Sequence, residues 1–129
     1  MSKESNFLTE HPMGYLATID ETNKPRVRGW GLIKAEQERI VLGTSNNKEV
    51  FKQLKTNLNA EFIATSKNMT TLRVSGDVVF EKNRNIVFSV IENNPVIKRM
   101  YAGKEDQFEL FYLTNLQYKW FESKMTLKK

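Results

Sequence analysis

Along much of this chain apolar residues recur at every second position, and the spacing becomes helical in only four short stretches. Residues 3–10 predict a first helix with Phe7 and Leu8 on its inner side. M-G-Y-L-A-T-I-D then predicts a strand, and E-T-N-K-P a turn in which Asn23 tolerates left-handed geometry and Pro25 restarts an extended chain. R-V-R-G-W-G-L-I-K is the second strand, A-E-Q-E a polar turn, and R-I-V-L-G-T the third strand. Two successive hairpins with short loops predict an antiparallel meander.

The period changes in S-N-N-K-E-V-F-K-Q-L-K-T-N-L-N. Val50, Phe51, Leu54 and Leu58 share one helical face, while Lys48, Glu49, Lys52, Gln53 and Lys55 fall outside it. Ser45, Asn46 or Asn47 is placed to cap the start. A-E-F-I-A-T predicts the next strand. In T-T-L-R-V-S-G-D-V-V-F-E-K, Leu72, Val74, Val78 and Phe80 share a face, and Gly76 marks a bend or bulge on it. N-R-N-I-V-F-S-V-I-E-N-N and P-V-I-K-R-M-Y predict two further helices, the second opened by Pro95. F-E-L-F-Y-L and L-Q-Y-K-W-F-E predict a closing hairpin around Thr114 and Asn115. About seven short strands with one inserted helix indicate a mainly β chain with short helices (α+β), an antiparallel split β-barrel, as one domain over residues 1–129.

Composition narrows the chemistry. An apolar share of 40% supports one core. No run approaches the roughly 20 apolar residues that span a bilayer, and the first twelve residues hold no apolar signal region. Cysteine is absent, which excludes a disulfide framework and a thiolate site and fits a cytoplasmic protein. His11 is the single histidine, so a multi-histidine metal site is excluded; it is expected at the surface, at a helix end. The net charge of +5 is spread along the chain, a pattern that favours anionic ligands more than a nucleic-acid track. Asp20 and Glu21 are expected to be a solvated turn pair, and Met100 and Tyr101 to cap a helix against the barrel.

The informative segment runs from Pro25 to Lys48. Strand alternation turns Arg26, Arg28, Trp30 and Leu32 one way and Val27, Gly29, Gly31 and Ile33 the other. Two glycines inside a strand need a reason: a flat or bulky body against the backbone, or a bend of the barrel. The third strand leads directly into the helix, so Thr44, Ser45, Asn46, Asn47 and Lys48 gather at a helix N-terminus. Free N–H groups, hydroxyls and a lysine there suit an anion, and an ordinary capped helix is the plain reading. Arg28, one hairpin away, adds a fork that meets phosphate bidentately.

The ordered set G-Y-L-A-T-I-D, K-P-R-V-R-G-W, R-I-V-L-G-T, N-K-E-V-F-K-Q-L and S-G-D-V-V-F, with a helix ending E-N-N-P, resembles the FMN-binding split-barrel family related to pyridoxamine 5′-phosphate oxidase. The resemblance covers about residues 8–122 and rests on the order of segments rather than on one motif. It implies bound FMN. Arg26, Arg28, Gly29 and Trp30 would line the cofactor; Thr44, Ser45 and Lys48 would hold its phosphate; Thr71 and Arg73 would lie beside the ring. It also implies a homodimer with its sites at the subunit boundary, to which Trp120 would come from the partner chain. In the oxidase itself an arginine–lysine pair opens the helix, where this chain has Lys48 and Glu49, and a C-terminal extension binds substrate, where this sequence stops at Lys129. The short general-stress and nitroimidazole-resistance type is the better match.

These residues support a flavin-dependent oxidoreductase acting on an unidentified small molecule. A non-redox barrel for a phospho-ligand or single-stranded nucleic acid is a different class, since positive charge beside aromatic strands is the footprint of single-strand binders. A flavin carrier or sensor without turnover is a third. Deazaflavin would suit the same barrel, whereas haem is disfavoured by the lone His11. The dimer has an argument from the residues as well. F-E-L-F-Y-L, Q-Y-K-W-F and V-V-F cannot all point into one small core, so a second chain is expected to cover them, unless the helices after Arg84 form a lid in one chain.

Overall fold

The computed structural model describes residues 2–122. Helix α1 (Lys3–Glu10) leads into β1 (Met13–Ile19), β2 (Pro25–Gly31), a short β3 (Lys34–Ala35) and β4 (Ile40–Ser45). Helix α2 (Glu49–Thr56) precedes β5 (Asn59–Thr65) and β6 (Thr71–Phe80). Helices α3 (Arg84–Glu92) and α4 (Pro95–Met100) and a 3-10 turn at Glu105–Gln107 precede β7 (Phe108–Phe121). All seven strands form one antiparallel sheet in the order β2-β1-β5-β6-β7-β4-β3.

That order curls the sheet onto itself. Strand β2 pairs with β1 along its length, and the chain then crosses to β4 within two residues. Leu32 N donates to Pro12 O and Ile33 N to Val41 O, both at 2.9 Å. The barrel is therefore stitched together at this end. At the other end the first half of β2 and the last half of β4 do not pair with each other, and α2 covers the opening with Val50 and Leu54 buried.

The interior core joins Leu8 of α1 and Leu54 of α2 to Leu16, Leu42, Phe62, Leu72, Val74 and Phe111 from the strands. A second core lies outside β4 and β7, where α3 and α4 cover Val41, Phe108, Leu110 and Tyr112 with Val87, Ile91 and Tyr101. Both faces of β4 and the first half of β7 are thus buried, which is why these strands read as nearly continuous apolar runs. Strands β1, β5 and β6 are covered on one face, and their patterns alternate.

Two glycines are demanded by close approach. A Cβ on Gly14 would stand 2.1 Å from Ile63 O, where β1 crosses β5. A Cβ on Gly76 would stand 2.7 Å from Thr114 O. Gly76 faces the register shift between Ser75 and Asp77, with Asn115 of β7 in the left-handed region at φ 52°. The expected bend at Gly76 is therefore present, but the expected final hairpin is not. Residues 108–121 form one strand, because Asn115 and Leu116 make a bulge opposite Gly76 and both halves stay paired with β6.

Other expectations also change. Asp20 is not a solvated turn residue. It is buried, and it accepts from Thr22 N, Thr22 Oγ1, Lys24 N and Arg26 Nε at 2.7–3.0 Å, tying together a turn with Asn23 at φ 63°. Leu58 falls beyond α2 and is exposed, as is Met100, whereas Tyr101 is buried. Most aromatic residues of β7 are covered by this chain itself, while Phe121 is 39% exposed. Phe108 and Tyr112 lie under the lid of α3 and α4, and Tyr118 and Trp120 turn toward the interior core. The most exposed apolar residues on the strands are on β1 and β2, where Met13, Val27 and Tyr15 are 72%, 65% and 57% exposed.

Candidate cofactor site

The open end of the barrel collects the cationic and hydroxyl groups that the sequence singles out. Arg28 points inward from β2. Its Nη1 donates to Thr18 Oγ1 at 2.8 Å, and its Nη2 donates to Gln53 Oε1 of α2 at 2.9 Å. Weaker bonds from Nη1 reach Leu16 O and Arg26 O. These acceptors are all neutral, and among the described residues no carboxylate lies within ion-pair distance of Arg28. Burial pulls its pKa below the ordinary guanidinium value. Arg26, Arg39, Arg73 and Arg84 contrast with it, each paired with an acid: Asp20, Glu36, Glu61 and Glu109 in turn. Arg28 is thus a half-buried cation whose charge the chain leaves uncancelled, an arrangement that is unfavourable until an anion arrives.

On the far side of α2, Thr44 ends β4 facing the interior, in alternation with the core residues Ile40 and Leu42. It is 3% exposed, and its Oγ1 has no hydrogen-bond partner. Helix α2 itself starts later than expected, at Glu49, with Lys48 as its N-cap and no side-chain cap. Asn46 does not cap it because its amide is drawn to Asp106 O and Glu109 Oε2 of the neighbouring chain segments. Ser45 does not cap it either, since its hydroxyl is buried against that of Tyr101. A lysine at an uncapped helix start leaves the first-turn N–H groups without a side-chain acceptor and adds a positive charge beside them. Phe51 N donates to Lys48 O at 3.2 Å, and Glu49 brings an acid to the same turn. The orphaned Thr44 hydroxyl, the N–H groups of Glu49 and Val50, Lys48 and Arg28 remain around α2 as a donor set that fits a phosphate monoester.

The remaining candidates separate by face. Arg26 is held in the β1–β2 turn by Asp20, at 2.8 Å. Trp30 packs inward, edge-on to Phe111 with ring centroids 6.4 Å apart. Gly29 lies on the outer face opposite Tyr15, and a Cβ there would meet nothing within 4 Å. Nothing in the chain itself forces a glycine at this position. A Cβ on Gly31 would meet Met13 Sδ at 2.9 Å, so local packing suffices there. Thr71 and Arg73 are also on the outer face, three strands away on β6, where Thr71 bonds Thr65 and Arg73 lies 3.8 Å from Glu61. Trp120 is on the inner side under its own α1, donating to Glu4 Oε2 at 3.1 Å and meeting Phe7 edge-on.

One ligand on one chain cannot touch Arg28 from inside and Arg73 from outside, because the sheet lies between them. The hollow on the outer face, about 560 Å³ and lined by Ala17, Asn59, Glu61, Ser75, Asp77 and Gln117 among others, carries acids and amides and repels phosphate. The groove of α1 that exposes Trp120 also holds His11, whose ring lies tilted against Phe7 with centroids 4.6 Å apart.

Two partners of the site escaped the sequence reading. Gln53 follows Val50 by three residues and precedes Leu54, which sets it on the buried face, and Thr18 alternates with Leu16. Both spacings were visible, but the polar side chains disguised them.

No family model and no curated relative matches the sequence. Solved structures do. A NimC/NimA family protein from Clostridium acetobutylicum superposes with a TM-score of 0.79 at 29% identity, over 92% of this chain and 82% of that one. A protein from the same organism, related to general stress protein 26 and of the pyridoxinephosphate oxidase family, gives 0.73 at 16% identity, over 95% and 94%. HutZ, a haem storage protein from Vibrio cholerae, gives 0.68 at 19% identity, over 93% and 92%. The neighbours fit a pyridoxamine-phosphate-oxidase-like split-barrel family, and this chain has its fold.

Proposed function

We propose that this chain is a cytoplasmic FMN-binding oxidoreductase that works as a homodimer and exchanges electrons with a small molecule. The observation that carries the reading is the uncancelled charge of Arg28 beside an uncapped helix start, with Lys48 and the orphaned Thr44 hydroxyl completing an anion cradle. Its neighbours in fold include an oxidase family, which supports redox chemistry over simple anion storage.

In this reading Lys48, Thr44 and the first-turn N–H groups of α2 hold the phosphate, and Arg28 supplies charge from below. Alternation of strand bonds gives a further role to β2. Leu32 N bonds toward β1 and Ile33 N toward β4, so Val27 and Gly29 turn their N–H and C=O groups to the open margin of the split. Those groups suit the polar edge of a flat ring, and Gly29 leaves room for it. Thr71 and Arg73 join only from a second copy, whose outer face would meet Met13, Tyr15 and Val27. When bound, the isoalloxazine itself accepts and returns hydride, so the chain needs no nucleophile and no histidine–carboxylate pair.

A visible absorption spectrum of freshly purified protein, followed by titration with FMN and with riboflavin, tests the reading. A yellow protein or tight FMN binding with weaker riboflavin binding is expected. A colourless protein that refuses FMN overturns it. The haem-storing neighbour makes haem the second reading, and the same spectrum separates the two. Against haem, His11 is the single histidine and lies tilted against Phe7 at the end of α1.

A further inference from the structure

We propose that Gln53 is a positioning residue whose neutrality keeps the charge of Arg28 available to an anion at the start of α2. The proposal rests on the reading above, in which Arg28 and Lys48 serve one phosphate. Three polar groups close a ring across the split. Thr18 Oγ1 donates to Gln53 Oε1 at 2.6 Å, Arg28 Nη2 donates to the same oxygen at 2.9 Å, and Arg28 Nη1 donates to Thr18 Oγ1 at 2.8 Å. Thr18 and Gln53 are 2% and 8% exposed, so water competes little for these bonds. The ring fastens β1, β2 and α2 to one another and fixes where the guanidinium sits. Gln53 lies four residues after Glu49, about one helical turn and roughly 6 Å along the axis from the start of α2.

A carboxylate is the usual partner for a half-buried arginine, and this chain supplies one to Arg26, Arg39, Arg73 and Arg84. Among the described residues Arg99 also has no acid but is exposed, whereas at the half-buried Arg28 an amide occupies the place. A glutamate at 53 would accept the same two hydrogen bonds with the same reach. It would also cancel the charge. The amide carbonyl gives the geometry of an ion pair without its neutralisation, which is what a site for an incoming dianion requires.

The test compares wild type, Q53E and Q53M for FMN and riboflavin affinity, read by quenching of flavin fluorescence, beside thermal unfolding without ligand. Q53E should keep its unliganded fold and lose FMN affinity by about ten- to a hundredfold, with riboflavin little changed. Q53M keeps the charge but loses both bonds, so its loss should be smaller and shared by the two flavins. A purely structural Gln53 reverses that order: Q53M would be the worse variant, with FMN and riboflavin falling together, and the proposal would be overturned. Should Q53E fail to fold, R28Q decides instead. It must lose the preference for FMN over riboflavin, and a preference retained overturns the proposal. If wild type refuses FMN, the cofactor reading fails separately. Gln53 is then judged by inorganic phosphate, which should raise the unfolding temperature of wild type and not of Q53E. Equal protection of both, or of neither, overturns the proposal.

Discussion

Ser45 and Tyr101 stand 56 residues apart in the sequence and share a buried hydrogen bond that joins the end of β4 to the C-cap of α4. The bond ties the strand bearing the candidate anion site to the helical lid over the second core. Tyr101→Phe should leave the Ser45 hydroxyl buried without a partner and lower stability by about 1–2 kcal/mol. Denaturant unfolding of Tyr101→Phe, Ser45→Ala and the double variant checks this. The second substitution should then cost little, because no orphan remains, and fully additive losses would show that the two hydroxyls are not coupled.

Lys48→Ala should weaken FMN by roughly 1.5–3 kcal/mol through the loss of a charge-assisted hydrogen bond, and leave riboflavin nearly unaffected. Lys48 is exposed and makes no side-chain cap, so the unfolding temperature without ligand should not move. Equal losses for the two flavins would show that Lys48 does not touch the phosphate. Arg28→Ala should weaken FMN by a similar amount and should also lower stability, since it releases Thr18 and Gln53.

Asp20 gives the fold an acid limb. Hydrogen bonds from Thr22, then Lys24 and Arg26, hold its carboxyl well below the ordinary range. A depressed folded-state pKa means that the stabilisation is complete above the unfolded value near pH 4 and drains away as the pH falls through the folded one. Asp20→Asn should therefore unfold at a lower temperature than wild type at neutral pH, with the gap closing below about pH 4. Melting curves over that range check the sign.

Tyr112 gives the opposite limb. Burial, then the hydrogen bond to Glu81 Oε1 at 2.6 Å, raises its phenol to about 12. A phenol raised in the fold stabilises fully below the unfolded value near 10 and loses that contribution as pH rises toward 12. Tyr112→Phe should flatten the alkaline fall in stability, and tyrosinate absorbance during titration should lose one of its late phenols, burial also raising that of Tyr118.

Gly29 offers a substitution with two opposed effects. Its site is open and its backbone is extended strand, so Gly29→Val should stabilise the unliganded chain by about 0.5–1 kcal/mol. The same side chain should obstruct what lies on this face, weakening self-association in sedimentation equilibrium and FMN binding with it. A more stable protein that still dimerises and binds FMN as wild type does would remove Gly29 from the site.

The patterns of apolar positions by themselves determined β1, β2, β4, β5, β6 and both halves of β7, because they record which faces of each strand meet the core, but not the two-residue β3, which falls where a polar turn is expected; the helical spacing of Val50 and Leu54 determined α2 in the same way. The turn at Asn23 and the bend at Gly76 were equally legible, since left-handed backbone and close approach select particular residues. Tertiary structure alone decided that β7 is one strand, because pairing with β6 outlasts a bulge that looks locally like a turn. It also decided that α3 and α4 cover Phe108 and Tyr112. Local sequence cannot tell a lid of its own helices from a second chain, since both bury the same residues. The candidate site divides along the same line. Thr44, Lys48 and Arg28 could be named from residue type and helix-start chemistry. Only the fold showed that Arg28 meets an amide rather than an acid, since partners 25 residues apart are chosen by the closure of the barrel.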